Sequence, residues 1–202
     1  YSVLARSGYV DVAELDSFRK LNTRLQGHPT THEGLPGIRI SSGSLGQGLS
    51  AAIGASLSKK LNNDSNHVYV LMGDGELQEG QVWEAAMFAG AKKVKKLIAF
   101  VDWNKRQIDG DVADVMDLGD LKAKWDAFGW KTMEMDGNDM NSILSTVEKA
   151  KSEEGPVVIL MKTEMGQGVD FMMGSHKWHG IPPSDEQLAQ ALEQLEETLG
   201  DY

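Results

Sequence analysis

The chain contains no cysteine, which excludes disulfides and thiolate metal sites and suits an intracellular compartment. Basic residues are outnumbered: 20 Lys and Arg stand against 30 Asp and Glu, a formal charge of -10. That sign opposes phosphate backbones and acidic lipids, so a nucleic-acid or anionic-membrane surface is not expected. No apolar run approaches the roughly 20 residues of a membrane span, and no leader with a charged head and apolar core is visible. The expectation is a soluble, cytoplasmic protein. Its 202 residues suit one compact domain and are too few for two of ordinary size.

The stretch 73–110 is the most informative part of the chain. Strand-like runs at 67–72 and 97–102 are each followed by an oxygen donor, Asp74 after the first and Asn104 after the second. Trp83, Met87 and Val94 between them recur at helical spacing. A β-α-β unit with a right-handed crossover makes the strands parallel and brings both donors to one sheet edge. A carboxylate and a side-chain amide are hard ligands suited to magnesium or calcium, and too few to satisfy the ion alone. Phosphate oxygens are the natural complement, and Gly73 and Gly75 leave the backbone beside Asp74 open to a diphosphate. Taken alone, Gly-Asp-Gly reads more readily as a tight turn; Asn104 after the next strand reverses that preference in favour of the ligand reading.

Elsewhere strands and helices alternate. Residues 1–8 read as the tail of a helix, and Asp11 as the cap of another carrying Leu15, Phe18 and Leu21. A long polar loop at 22–42 holds His28 and His32, and its length suggests function. The turn 43–48 opens a helix running to about Leu61, with Leu49, Ala52, Ile53, Ser56 and Leu57 on one face. Lys92, Lys93, Lys95 and Lys96 read as a solvated run at a helix end, and 111–119 as an acidic loop. A helix at 121–128, a strand at 131–135, a helix at 140–151 and a strand at 157–161 follow. The glycine-bearing loop 163–183 contains His176 and His179, and reads as a lid. Ser184 caps a last helix with Leu188, Leu192 and Leu195 in register and an acidic outer face over 185–197. This alternation predicts an α/β fold, a three-layer α/β/α arrangement around a mainly parallel sheet.

Several blocks carry a resemblance. The runs Gly73-Asp74-Gly75-Glu76-Leu77-Gln78-Glu79-Gly80 and Asn104-Lys105-Arg106-Gln107-Ile108-Asp109-Gly110 are similar to the thiamine diphosphate motif of transketolases. So are Leu25-Gln26-Gly27-His28-Pro29, Gly43-Ser44-Leu45-Gly46-Gln47-Gly48 and Lys177-Trp178-His179-Gly180. The resemblance implies the diphosphate-binding (PP) domain, residues 1–202, corresponding to the amino-terminal half or subunit of a split transketolase and lacking the family's most amino-terminal element.

It further implies thiamine diphosphate with Mg2+ or Ca2+, held by Asp74, Asn104 and the backbone carbonyl of Arg106, a position usually apolar in the family. Gly43, Leu45, Gly73, Gly75, Ile108 and His179 correspond to cofactor contacts. His28 and His179 correspond to proton carriers near diphosphate and substrate, and Glu79 to a carboxylate at the contact between subunits, whose bland alternative is a first-turn acid favoured by the helix dipole. Trp103 stands where it would narrow the cleft. The glutamate that activates the cofactor lies on a second domain in transketolases. A separate pyrimidine-binding chain is therefore implied, in a homodimer or heterotetramer acting on sugar phosphates of the pentose phosphate pathway. Deoxyxylulose phosphate synthases, the alpha chains of 2-oxoacid dehydrogenases and a non-catalytic scaffold are the alternatives.

Overall fold

The computed structural model describes residues 1–195, which fall into two compact units, Tyr1–Leu45 and the residues from Gly46 onward. In the first, α1 (Ser2–Arg6) and 3-10 helices at Val12–Ser17 and Thr31–Glu33 surround a core of Ala5, Val10, Leu25 and Leu35. Asp11 caps its helix as expected, accepting from the Ala13 N–H, but the helix stops at Ser17. Phe18 turns extended and Arg19 is left-handed at φ 59°. The Arg19 N–H then donates to the Leu25 carbonyl, closing a loop that leaves Leu21 91% exposed rather than on a buried face.

In the second unit α2 (Gly48–Leu61) leads to β1 (Val68–Gly73), α3 (Gly80–Ala91) and β2 (Leu97–Trp103). A hairpin of β3 (Arg106–Gln107) and β4 (Gly110–Asp111) follows, then α4 (Val112–Met116), α5 (Leu121–Ala127), β5 (Lys131–Asp136), α6 (Met140–Lys151), β6 (Val157–Lys162) and α7 (Asp185–Gln194). β1, β2, β6 and β5 form one parallel sheet in that order. Val157 to Leu160 of β6 are all fully buried, as a central strand covered on both faces requires. One face packs under α2, α3 and α5 through Leu49, Val82, Ala86, Ala89, Leu121 and Trp125. The other packs under α6 through Ile98, Met135, Val157 and Ile159. The three-layer α/β/α expectation matches this arrangement.

Three local expectations differ. The buried face of α3 is Val82, Ala85, Ala86, Ala89 and Gly90, while Met87 is 56% exposed. Small side chains let this helix sit close, and Trp83 packs at its flank against Trp125 and Phe128. The acidic segment after Gly110 is not a loop. Asp111 precedes a one-turn helix whose Val112 is buried, and so short a helix leaves almost no periodicity to read. Ser184 does start the last helix, with a capping box to Gln187. Its leucines, however, are exposed, Leu192 at 62%, and only Ala191 is buried; the acidic positions 196 and 197 lie outside the described residues. Among the described residues no helix is long and apolar enough to cross a membrane.

A Cβ added at Gly90 would lie 1.7 Å from the Phe128 carbonyl oxygen, whereas one at Gly54 in α2 would meet nothing within 4 Å. Gly90→Ala is therefore expected to cost more than about 3 kcal/mol, since backbone must move. Gly54→Ala should stabilise by about 0.5–1 kcal/mol through helix propensity. Urea unfolding of the two variants checks both signs.

Candidate functional site

Asp74 and Asn104 leave the same rim of the sheet from neighbouring strands. The register pairs Gly73 with Asp102, and the Asp74 N–H donates to the Asp102 carbonyl at 3.2 Å. Asp74 is only 2% exposed, and its carboxylate accepts from the N–H groups of Gly75 at 2.8 Å and Lys105 at 2.5 Å. Burial raises its pKa from 3.8 to about 6; the two N–H donors oppose that rise and the negative charge of Asp102 adds to it. No cationic side chain is among the groups that act on it. A buried carboxylate with only amide partners suits a cation arriving from outside the chain.

Asn104 is half-buried, its side-chain carbonyl accepting from the Arg106 N–H at 2.8 Å, which tightens the turn into the β3–β4 hairpin. The Arg106 guanidinium pairs with the Asp111 carboxylate, so its charge is answered locally and the backbone carbonyl is the oxygen this residue can offer a cation. A fourth acceptor was not foreseen. The Gln107 side-chain oxygen is buried without a hydrogen-bond partner among the described residues, and a Cβ on Gly75 would lie 3.3 Å from it. Gly75 is thus the glycine that close approach requires; Gly73 has open space around it. This set of one uncompensated carboxylate, amide oxygens and a carbonyl fits a hard divalent cation with positions left for phosphate oxygens.

The surrounding groups hold the rim in place. Glu76 bridges two stretches of backbone, accepting from the Gly46 N–H at 2.8 Å and the Gly73 N–H at 3.1 Å. Its position in the Gly-Asp-Gly-Glu run was the only signal of that role. Glu79 begins α3 as its cap position, yet its side chain makes no cap hydrogen bond and is exposed. His179 ends a 3-10 helix, His176–His179, and lines a cavity of ≈ 450 Å³ together with Asn104, Asp102, Thr163 and Trp178. The Thr163 hydroxyl, at the start of the loop expected as a lid, donates to Asp102 of β2, and the Trp178 N–H donates to the Phe171 carbonyl at 3.0 Å within that loop. Ile108, 66% exposed at the hairpin turn, has its Cδ1 3.5 Å from where a Cβ on Gly180 would stand. Trp103 does not line this cavity; the ammonium groups of Lys105 and Lys162 lie 5.6 and 5.9 Å from its ring centre.

Three predicted positions belong to the first unit. His28 is exposed, and a Cβ on Gly43 would fall 2.8 Å from its imidazole, while Gly43 itself has φ 116°. Gly43 is therefore demanded locally by His28 and by its own backbone. Leu45 is 56% exposed at the end of that unit.

The raised Asp74 pKa has a stability sign. The neutral acid is the favoured folded form, so its contribution is full below pH 3.8 and is lost as pH rises through about 6. The ionised carboxylate then costs about 3 kcal/mol in the cation-free chain. Asp74→Asn is expected to raise cation-free stability by up to about 3 kcal/mol at pH 8 and to gain little near pH 4, as urea midpoints across that range would measure.

Comparison with known proteins gives this rim its family. The model described as "Transketolase, thiamine diphosphate binding domain" matches residues 1–198. A 6-deoxy-6-sulfo-D-fructose transketolase subunit of Clostridium sp. (strain MSTE9) is 41% identical over 197 residues, covering 97% of this chain and 71% of that protein. An apulose-4-phosphate transketolase subunit of Actinobacillus succinogenes is 36% identical, covering 98% of this chain and 71% of that one. The transketolase structure from Campylobacter jejuni superposes with a TM-score of 0.84 at 35% identity, over 90% of this chain and 29% of that one, so the chain spans under a third of that solved transketolase. These matches support the transketolase reading over the synthase, dehydrogenase and scaffold alternatives. The chain belongs to the transketolase family, as its amino-terminal, thiamine diphosphate-binding part.

Proposed function

We propose that this chain is the cofactor-anchoring half of a transferase that moves a two-carbon ketol unit from a ketose phosphate to an aldose phosphate, as in the pentose phosphate pathway. The observation that carries it is the buried, uncompensated Asp74 carboxylate beside Asn104 on one rim. The span of the family match, residues 1–198, supports treating the chain as one diphosphate-binding domain. Two relatives are named as subunits, which supports a separate pyrimidine-binding transketolase chain completing the site, in a homodimer or heterotetramer. One of them is named for a sulfonated sugar; phosphate and sulfonate share a terminal oxyanion. Sugar phosphates are intracellular metabolites, which favours the cytoplasm.

In this reading Asp74, Asn104 and the Arg106 carbonyl would hold Mg2+, or Ca2+ in its place, whose charge would offset the buried carboxylate and the diphosphate. Gly73 and Gly75 let backbone approach the diphosphate, and Gly43, Leu45 and Ile108 contact the cofactor's organic part. Thiamine diphosphate, when bound, supplies the nucleophilic carbon that carries the two-carbon unit. The His28 and His179 imidazoles take and return protons at substrate oxygens. Glu79, exposed beside the rim, reaches the partner chain's catalytic carboxylate.

Calorimetry with Mg2+ and thiamine diphosphate, and a ketol-transfer assay with the companion chain, test this. Asp74→Ala and Asn104→Ala are expected to weaken cofactor binding by at least about tenfold and to lower transfer in step. Arg106→Leu should bind nearly as the parent does, because the carbonyl is retained. Transfer unaffected by Asp74→Ala, or no transfer by the parent chain, would refute the assignment.

A further inference from the structure

The opposite rim of the sheet carries a second concavity, away from Asp74 and Asn104. It has a volume of ≈ 570 Å³ and lies among the end of α2, residues 63–66 before β1, and residues 92–96 before β2. Six lysines line it, Lys59, Lys60, Lys92, Lys93, Lys95 and Lys96, against one carboxylate, Asp64. In a chain of net charge -10 this is a strong local reversal of sign. β1 and β2 start beside this cavity and end at Asp74 and Asn104, so the two rims stand about 20 Å apart.

Helix dipoles account for part of the cluster, since lysines favour helix C-termini. Lys60, in the last turn of α2, and Lys92, at the C-cap of α3, stand at such ends; Lys95 and Lys96 lie beyond them, before β2. Lys59 pairs with Asp64, Lys95 with Glu154, and Lys96 donates to the Ser65 carbonyl, but Lys60, Lys92 and Lys93 have no acidic partner among the described residues. Lys93 and Lys96 hold left-handed backbone at φ 47° and 58°, where glycine or asparagine is the ordinary choice after a helix. Lysine is strained there by its Cβ, so local backbone preference does not explain its presence. Ser56, 5% exposed, also lines the cavity, and its buried hydroxyl has no hydrogen-bond partner among the described residues. A buried hydroxyl without a partner is unfavourable unless something outside the chain supplies one.

We infer that this cavity binds a small anion carrying several phosphate groups, with the free lysines pairing to phosphate oxygens and Ser56 donating to one of them. The size suits a metabolite rather than an extended polymer, and Leu57 with the buried Val94 offers an apolar wall to a nucleoside or other carbon skeleton.

The test is calorimetric titration of inorganic triphosphate, and separately ATP, into the full chain in EDTA, so that no divalent ion serves the cofactor rim. A single site is expected. Lys60→Ala combined with Lys93→Ala, both exposed and tolerant of substitution, should weaken it by at least about tenfold, the equivalent of one lost charged hydrogen bond. Asp74→Ala should leave it unchanged. Ser56→Ala should weaken binding severalfold while leaving the free chain as stable as the parent or more so, a combination that a purely structural serine would not produce. Tighter binding of ATP than of triphosphate identifies a nucleotide, and equal or weaker binding identifies the phosphate chain itself; either supports the site. No binding heat, undiminished affinity in the double lysine variant, or loss of binding in Asp74→Ala would overturn it.

Discussion

Parallel pairing of β1 with β2 is the constraint from which the site follows. Because Gly73 stands opposite Asp102, the chain leaves both strands at the same level, and the Asp74 carboxylate reaches the Lys105 N–H at 2.5 Å. Slipping that register by one residue would turn each strand's side chains to the opposite face, and the core under α2 and α3 forbids it: Met72, Ala99 and Val101 are buried among Leu49, Val82 and Ala86. Hydrophobic packing on one face of the sheet therefore sets the geometry of polar groups at its end.

That geometry is held at a cost to the free chain. Asp74 is buried beside another acid and without a cationic side chain acting on it, and Gln107 keeps a buried oxygen without a partner among the described residues. Folding alone would favour asparagine at the first position. Such local conflict with stability is what sites for external ligands show. The same pattern recurs at the far rim, where Ser56 is the unsatisfied group and lysines take left-handed backbone. Two rims of one sheet thus carry opposite character, one rich in oxygen ligands and the other in ammonium groups.

Much of this was legible in the amino acids. Alternating strand and helix patterns located α2, α6 and the four sheet strands to within a residue or so at each end, because long periodic segments bury one face and must show it. The pairing of Asp74 with Asn104 was legible because a right-handed crossover leaves little freedom in where the second strand ends. Short elements were not. The one-turn α4 and the 3-10 helix ending at Ser17 are decided by turn closure, such as the Arg19 N–H donating to Leu25, and not by any repeat.

The sequence by itself determined the layer architecture and the oxygen donors at 74 and 104, which are written in local residue type and spacing, and pointed to the family through the resemblance of its motifs. Only the tertiary structure decided that Asp74 is buried without a counterion, that Gln107 and Glu76 support the same rim, that His179 shares a cavity with Asn104, and that lysines from α2 and from residues 92–96 gather around Ser56. The physical reason is that burial, desolvation and charge clustering arise from segments distant in the chain, and no local pattern records what will pack against it.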